Sequence, residues 1–246
     1  MRRAPADPAD PPDPAGPTGG AGGPLLIACA LGIERLALRL ADRSTAGNVT
    51  VLRTGMGPRA AASAVGRALG RAELHGASVL ATGFCAGLAP GMRPGDLVVA
   101  TETRDGLGPV HCSGTARLTG ALARALPGRT VHTGPLIGSD HVVRGAERST
   151  LRSTGAIAVD MESAVTLRTA VRPPAPVGPV APRGLLGGGE DRWVRPVAAV
   201  RVVVDAPEHE LVRIGTLRGG ISAFRVLRAV FPVFCEWHRI VTLPRR

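Results

Sequence analysis

The chain has no tyrosine and no lysine, and aromatic residues make up only 2% of its 246 positions. Without aromatics interleaved among the basic residues it offers no stacking platform for single-stranded nucleic acid. The net charge of +11 rests on arginine alone, scattered along the chain rather than gathered into a basic run. Nucleic acid is therefore disfavoured as a partner, and weak attraction to an anionic membrane surface is the better use of the charge. No apolar run approaches the roughly 20 residues of a membrane span. Cysteine is sparse, at 29, 85, 112 and 235, with no CxxC pair and no short His-x-His spacing, so no metal site is expected. Cys29 and Cys85 lie in apolar or Gly-rich stretches and read as small buried residues in a reducing cytoplasm. The phosphate loop GxxxxGK[ST] is missing, and so is GxGxxG at the first strand. That disfavours nucleotide triphosphatases and dinucleotide-binding folds.

The order of apolar and helical patterns is α/β. "LIAC" (26–29) after an Arg-rich start imitates a secretory leader. However, residues 4–23, "APADPADPPDPAGPTGGAGG", lack the apolar stretch a leader needs. Residues 1–23 read as a disordered tail. Strands are expected at 24–31, 49–55, 77–83, 96–102 and 130–139, another ending at 160, and one at 196–205. That last run, "PVAAVRVVVD", is β-branched enough for a central parallel strand. Helices are expected at 33–42, 57–74 and 114–126 and from Met161 onward. A further apolar helical stripe at 223–241, interrupted at Pro232, suits core or subunit packing. Residues 172–193 hold too much Pro and Gly for a regular element and read as an insertion or lid. The expected fold is one three-layer α/β/α domain, residues 24–246, around a mixed, mostly parallel twisted sheet.

Glycines cluster where predicted strands end, in "TGMG" (54–57), "TGFCAG" (82–87) and "LIGSD" (136–140). In open α/β sheets ligands bind at such strand ends, and glycine lets backbone amides come close to them. The stretch "AVDMESA" (158–164) adds two carboxylates, Asp160 and Glu162, at the end of an apolar strand. Buried there, each needs a partner. Together "ACALGIE" (28–34), "TGMGPRAAA" (54–62), "TGFCAGLAPGMRPGDLVVATE" (82–102), "AVDMESA" and "VRVVVD" (200–205) resemble, in order, the nucleoside phosphorylase and nucleosidase family. That family includes methylthioadenosine/S-adenosylhomocysteine nucleosidase. The wording is most similar to the hopanoid-associated phosphorylases, as is "GTLRGGISAFRVLRAVFP" (215–232).

The resemblance implies cleavage of the N-glycosidic bond of an adenine nucleoside, with adenosylhopane as the inferred substrate. It implies that Glu162 accepts the ribose hydroxyls over Met161, as a carboxylate can accept both protons of a diol. It implies that Asp205 protonates the departing base, although Val204 stands where the family has a serine. Glu34, Thr54 and Arg201 match the nucleophile side, and Gly55, Gly57, Gly83 and Gly87 match the close-approach glycines. Val142, in "SDHVV" (139–143), matches the adenine-contacting loop, with Asp140 a lesser candidate there. A Glu base suits water, whereas Arg35, Arg53 and Arg201 around "TGMG" suit phosphate, so the nucleophile stays open. Asp160 receives no separate role, and His132 and His141 read as ordinary strand-end or loop residues. No metal or organic cofactor is implied, phosphate entering only as a co-substrate. The implied partners are a nucleoside, lipid-linked in the hopanoid case, and further copies of the chain. The alternatives are a methylthioadenosine-type nucleosidase and a degenerate nucleoside-binding regulator.

Overall fold

A computed structural model describes residues 23–42, 48–172, 195–207 and 216–243. The expected tail (1–23) and insertion (172–193) lie outside the described residues except for Gly23 and Arg172. The strands are β1 (Leu25–Cys29), β2 (Val49–Arg53), β3 (Ser78–Gly87), β4 (Leu97–Asp105), β5 (Gly108–His111), β6 (Val131–Gly138), β7 (Ala158–Asp160) and β8 (Val197–Asp205). They form one sheet in the order β2-β1-β3-β7-β6-β4-β5, with β8 between β3 and β4. Parallel pairings outnumber antiparallel ones, as expected, but β8 is parallel to β3 and antiparallel to β4.

Side chains alternate across the pleat. Leu25, Ile27, Leu97, Val99, Val200 and Val202 face a core closed by α1 (Gly32–Ala41), α3 (Thr115–Ala125) and α6 (Thr216–Thr242). Leu26, Val79, Val98, Ala199 and Val203 face the opposite core, under α2 (Pro58–Leu69) and α5 (Ser163–Val171). Near-continuous apolar runs are what a sheet covered on both faces requires. Arg201 has the parity of Ala199 and Val203, so a guanidinium occupies an apolar position beneath α2 and α5.

Three expectations are corrected. The strand expected at 77–83 does not end at Gly83: β3 runs on to Gly87 because β8 pairs with it as far as Ala86. The helix expected over 57–74 ends at Leu69, and a 3-10 turn, Ala72–Leu74, follows Gly70. The Pro232 position does not interrupt α6, since Pro232 is exposed while Val230, Phe231, Val233 and Phe234 stay buried. That stripe is core, as expected. Sequence reading missed β5, a short hairpin partner of β4, and α4 (Ala146–Ser153). No helix among the described residues is long and apolar enough to cross a membrane.

Candidate active site

The site is built around a gap beside β3. On one side β1 pairs with it as far as Ala81, and β7 begins only at Ala86. Between those residues side chains take the backbone groups instead. Phe84 N–H donates to Glu34 Oε1 at 2.9 Å, and Thr82 O accepts from Arg201 Nη1 at 2.8 Å. Glu34 stands in the first turn of α1, and its Oε2 also accepts from Ala30 N (2.9 Å) and Leu31 N (2.8 Å). It is 2% exposed, and burial raises its pKa above that of an ordinary glutamate, with Arg201 and the backbone donors opposing.

Arg201, 1% exposed, pairs across the strand from Gly83. Its Nη2 meets Asp160 Oδ2 at 2.6 Å, and its Nε donates to Ser163 Oγ at 2.8 Å. Ser163 Oγ in turn donates to Asp160 Oδ2 at 2.6 Å. Asp160 therefore does have a role: it pairs with the buried guanidinium and accepts from Ser163 N at the start of α5. Gly83 has φ +133°, and a Cβ there would lie 2.5 Å from Glu34 Oε1 and 2.7 Å from Arg201 Nη1. Only glycine fits between the acid and the guanidinium.

Glu162 precedes α5 but does not cap it. Its Oε1 instead accepts from Gly57 N, 105 positions away in sequence, at 2.8 Å. Burial raises its pKa as well, against the pull of Arg201 and Gly57 N–H. Gly57 (φ +86°) and Gly55 (φ +83°) shape the turn that presents this amide after β2. Thr54 is buried at the end of β2, and its hydroxyl donates to Gly55 O at 2.9 Å. Met161 lines a cleft of about 400 Å³ together with Ser139, Asp140, His141, Glu147 and Leu151.

At the end of β8 the Asp205 carboxylate is ion-paired with Arg148 Nη2 of α4. The β7 residue Val159 and Asp205 both pair with Ala86 of β3. Strand register thus brings the Glu162 segment and Asp205 to the same end of the sheet.

A family model for the phosphorylase superfamily matches residues 40–178, more than half of the chain. The chain belongs to the phosphorylase superfamily. No curated protein sequence matches it. Among solved structures, the Neisseria meningitidis 5′-methylthioadenosine/S-adenosylhomocysteine nucleosidase in complex with methylthio-immucillin-A is similar at 19% identity. Its TM-score is 0.61, over 89% of this chain and 99% of that one. The Streptococcus pneumoniae nucleosidase with 8-aminoadenine matches at 17% identity and TM-score 0.63, over 87% and 99%. A Helicobacter pylori Asp-to-Asn variant with 5′-methylthioadenosine in its active site matches at 15% and 0.62, over 88% and 98%. At these identities the likeness is one of fold.

The superfamily fold brings together most of the residues singled out by sequence. Glu34 and Arg201 close on Gly83, and Glu162, held by Gly57 N–H, interacts electrostatically with both charges, while Met161 lies in the cleft. Two residues stand apart. Val142 is 64% exposed and does not line the cleft. Gly87 packs inward, where a Cβ would lie 2.7 Å from Met92 Sδ, so its smallness serves the core. His132 is held by Asp96 at 2.9 Å, away from the site. His141 lines the cleft between Asp140 (2.7 Å) and Glu147 (2.9 Å). Arg148 and Asp160, the ionic partners of Asp205 and Arg201, were not anticipated. Cys29 and Cys85 are buried as expected, burial pushing the Cys29 thiol up to about 12.

Proposed function

We propose that the chain cleaves the N-glycosidic bond of an adenine nucleoside, with water as the attacking group. The observation that carries this reading is the set of three buried carboxylates, Glu34, Glu162 and Asp160, around the single guanidinium of Arg201. The Arg201 donors are engaged by Asp160, Ser163 and Thr82 O. A phosphate dianion entering there would face uncompensated negative charge in a low-dielectric pocket. A neutral water meets no such barrier, and a glutamate with a raised pKa is a fitting base for it. Glu162 accepts the ribose hydroxyls, with Met161 beneath the sugar. Asp205 and Arg148 stand on the leaving-group side. The proposed reaction needs no metal or organic cofactor.

A second feature supports a lipid-tailed substrate such as adenosylhopane. On α1, Ile33, Leu36 and Leu40 are about half exposed, and Met56, between Gly55 and Gly57, is 68% exposed. Exposed Arg35, Arg39, Arg53 and Arg59 accompany them, while the acid of α1, Glu34, points inward. An apolar face fringed with arginine suits the cytoplasmic surface of an anionic bilayer. Assembly of further copies of the chain, as the family resemblance implies, belongs to the same proposal.

The test is adenine release, followed by chromatography, from 5′-methylthioadenosine, adenosine and adenosylhopane, with and without phosphate. Release that needs no phosphate and is lost in Glu34→Gln is the expected result. Phosphate-dependent release overturns the water mechanism. Binding of nucleoside without release from any substrate identifies a regulator instead. Preference for adenosylhopane decides the lipid-tail part.

A further inference from the structure

The Arg201 guanidinium stands close to Glu34 but makes its ion pair elsewhere. A Cβ on Gly83 would meet Glu34 Oε1 at 2.5 Å and Arg201 Nη1 at 2.7 Å, so those two atoms are no farther apart than the two distances together. Yet the ion pair of Arg201 is with Asp160, through Nη2 at 2.6 Å, both side chains being 2% exposed. Local geometry makes that choice. The Glu34 oxygens are taken up by the N–H groups of Ala30, Leu31 and Phe84. Asp160 is instead aimed by Ser163, whose N–H donates to both carboxylate oxygens at 3.2 Å and whose hydroxyl donates to Oδ2 at 2.6 Å. The same hydroxyl accepts from Arg201 Nε at 2.8 Å. Ser163 is buried, so a single hydroxyl joins the acid to the guanidinium away from water.

We infer that Asp160 and Ser163 are positioning residues for the proton acceptor: they hold the Arg201 charge on their own side of Gly83, which leaves Glu34 able to take a proton from water. The inference rests on the nucleoside-cleaving function proposed above. In that reaction a water oxygen bonds to C1′ as the electron pair of C1′–N9 leaves with the base. Glu34 takes one proton of the water, the base anion takes up a proton, and Glu34 returns its own to solvent. A carboxylate serves as a base only as far as it holds the proton it receives. An opposite charge brought to about 4–6 Å lowers a carboxyl pKa by about 1–3 pH units, so a guanidinium turned toward Glu34 would weaken the base. Burial acts the other way and raises Glu34, with Arg201 the largest opposing influence. The other groups around the two residues do not replace Arg201. Glu162, before α5, adds negative charge. The Cys29 thiol of β1 and the Cys85 thiol of β3 are pushed up by burial and stay neutral. Arg35 of α1 and Arg53 of β2 are exposed to solvent. Asp160 thus decides how much of the Arg201 charge Glu34 feels.

The test reads Glu34 both directly and through turnover. Isotope labelling of glutamate carboxyl carbons gives its titration by NMR, the resonance being assigned with Glu34→Gln. The pH profile of kcat/KM for 5′-methylthioadenosine gives the acid limb. Both are measured for wild type, Asp160→Asn, Ser163→Ala and Leu122→Ala, the last a core variant on α3. In Asp160→Asn the titration and the limb should fall together by about one pH unit, with the plateau rate down several-fold. Ser163→Ala keeps both charges but loses the link between them, and should fall by less. Leu122→Ala should lower Tm without moving either pH reading, which separates positioning from a general loss of stability. If Glu34 titrates in a folded Asp160→Asn where it does in the wild type, the inference is overturned, while adenine release without phosphate leaves the proposed function standing. Should Asp160→Asn not fold, Ser163→Ala decides in the same way. A Glu34 titration that falls as expected in a protein that releases no adenine supports the coupling and overturns the proposed function.

Discussion

Replacing Gly83 by alanine tests whether the acid and the guanidinium are held as the geometry states. The new Cβ would stand 2.5 Å from Glu34 Oε1 and 2.7 Å from Arg201 Nη1, closer than real Cβ contacts. Neither neighbour yields easily. Glu34 is fixed by three backbone N–H groups, and Arg201 by Asp160, Ser163 and Thr82 O. The backbone adds its own cost, because φ +133° is a conformation that an L side chain rarely adopts. Strain of this kind costs ~1–3 kcal/mol, and displacing one buried charged hydrogen bond costs another ~1–3 kcal/mol. The sum, roughly 2–6 kcal/mol, corresponds to a drop in Tm of roughly 5–20 °C for a domain of this size. Activity should fall further than stability, since a shift of about 1 Å in a catalytic group can cost on the order of 100-fold.

The assay is thermal unfolding together with adenine release measured well below the melting range. Gly128→Ala is the control, because Gly128 also has positive φ (+92°) but a Cβ there meets nothing within 4 Å. It should show the strain alone and keep full activity. The reasoning is refuted if Gly83→Ala melts no lower than Gly128→Ala and keeps its rate within threefold. Glu34 and Arg201 would then not be fixed around that glycine.

Four other outcomes are expected. Glu34 must lose its proton to act as a base, and burial raises its pKa, so the acid limb of kcat/KM should lie above the ordinary glutamate value of ~4.3; a limb at or below that value excludes Glu34 as the base. Glu34 and Glu162 both bind a proton more tightly folded than unfolded. Their contribution is fully present below the unfolded pKa and fades as pH rises through the raised folded values, so the Tm should fall with rising pH through that window, and less steeply in Glu162→Gln. Arg201→Met leaves three buried carboxylates without their cation and should cost ~3–5 kcal/mol, measured by urea unfolding, with part recovered on acidification. Leu36→Asp on α1 should weaken sedimentation with phosphatidylglycerol vesicles several-fold while leaving release from soluble nucleosides unchanged; equal binding by both proteins removes α1 from the lipid surface.

Much of the fold was legible because both faces of the sheet are covered. Runs such as "LLIAC" and, Arg201 apart, "VAAVRVVV" alternate between one core and the other while staying apolar. Boundaries were misplaced where a tertiary neighbour overrode the local signal. The strand read at 77–83 stopped at Gly83, yet β8 supplies β3 with pairing partners beyond it, as far as Ala86. Pro232 read as a break, yet it faces outward on a helix whose inner side is held by Phe231 and Phe234. The helix α4 is short and polar, so its sequence carries no strong apolar period.

The site was legible as far as the resemblance reached and failed at ionic partners, which lie 41 and 57 positions apart in the chain for Asp160–Arg201 and Arg148–Asp205. Physical reasoning could have found the first pair. In "AIAVD" and "VAAVRVVVD" the only charges are Asp160, Arg201 and Asp205, and charges inside strands buried on both faces must be paired. Two acids then compete for one guanidinium. Pleat parity alone does not choose, since Arg201 and Asp205, four apart on one strand, share a face. Distance does: four strand residues span roughly 13 Å, too far for a direct contact along an extended strand. Arg201 must therefore go to Asp160, and Asp205 must find a cation elsewhere. No spacing rule says where, because Arg148 is delivered by the turn after β6 and by a helix the sequence barely signals. The residue least visible in sequence is thus Arg148, the cation that pairs with Asp205.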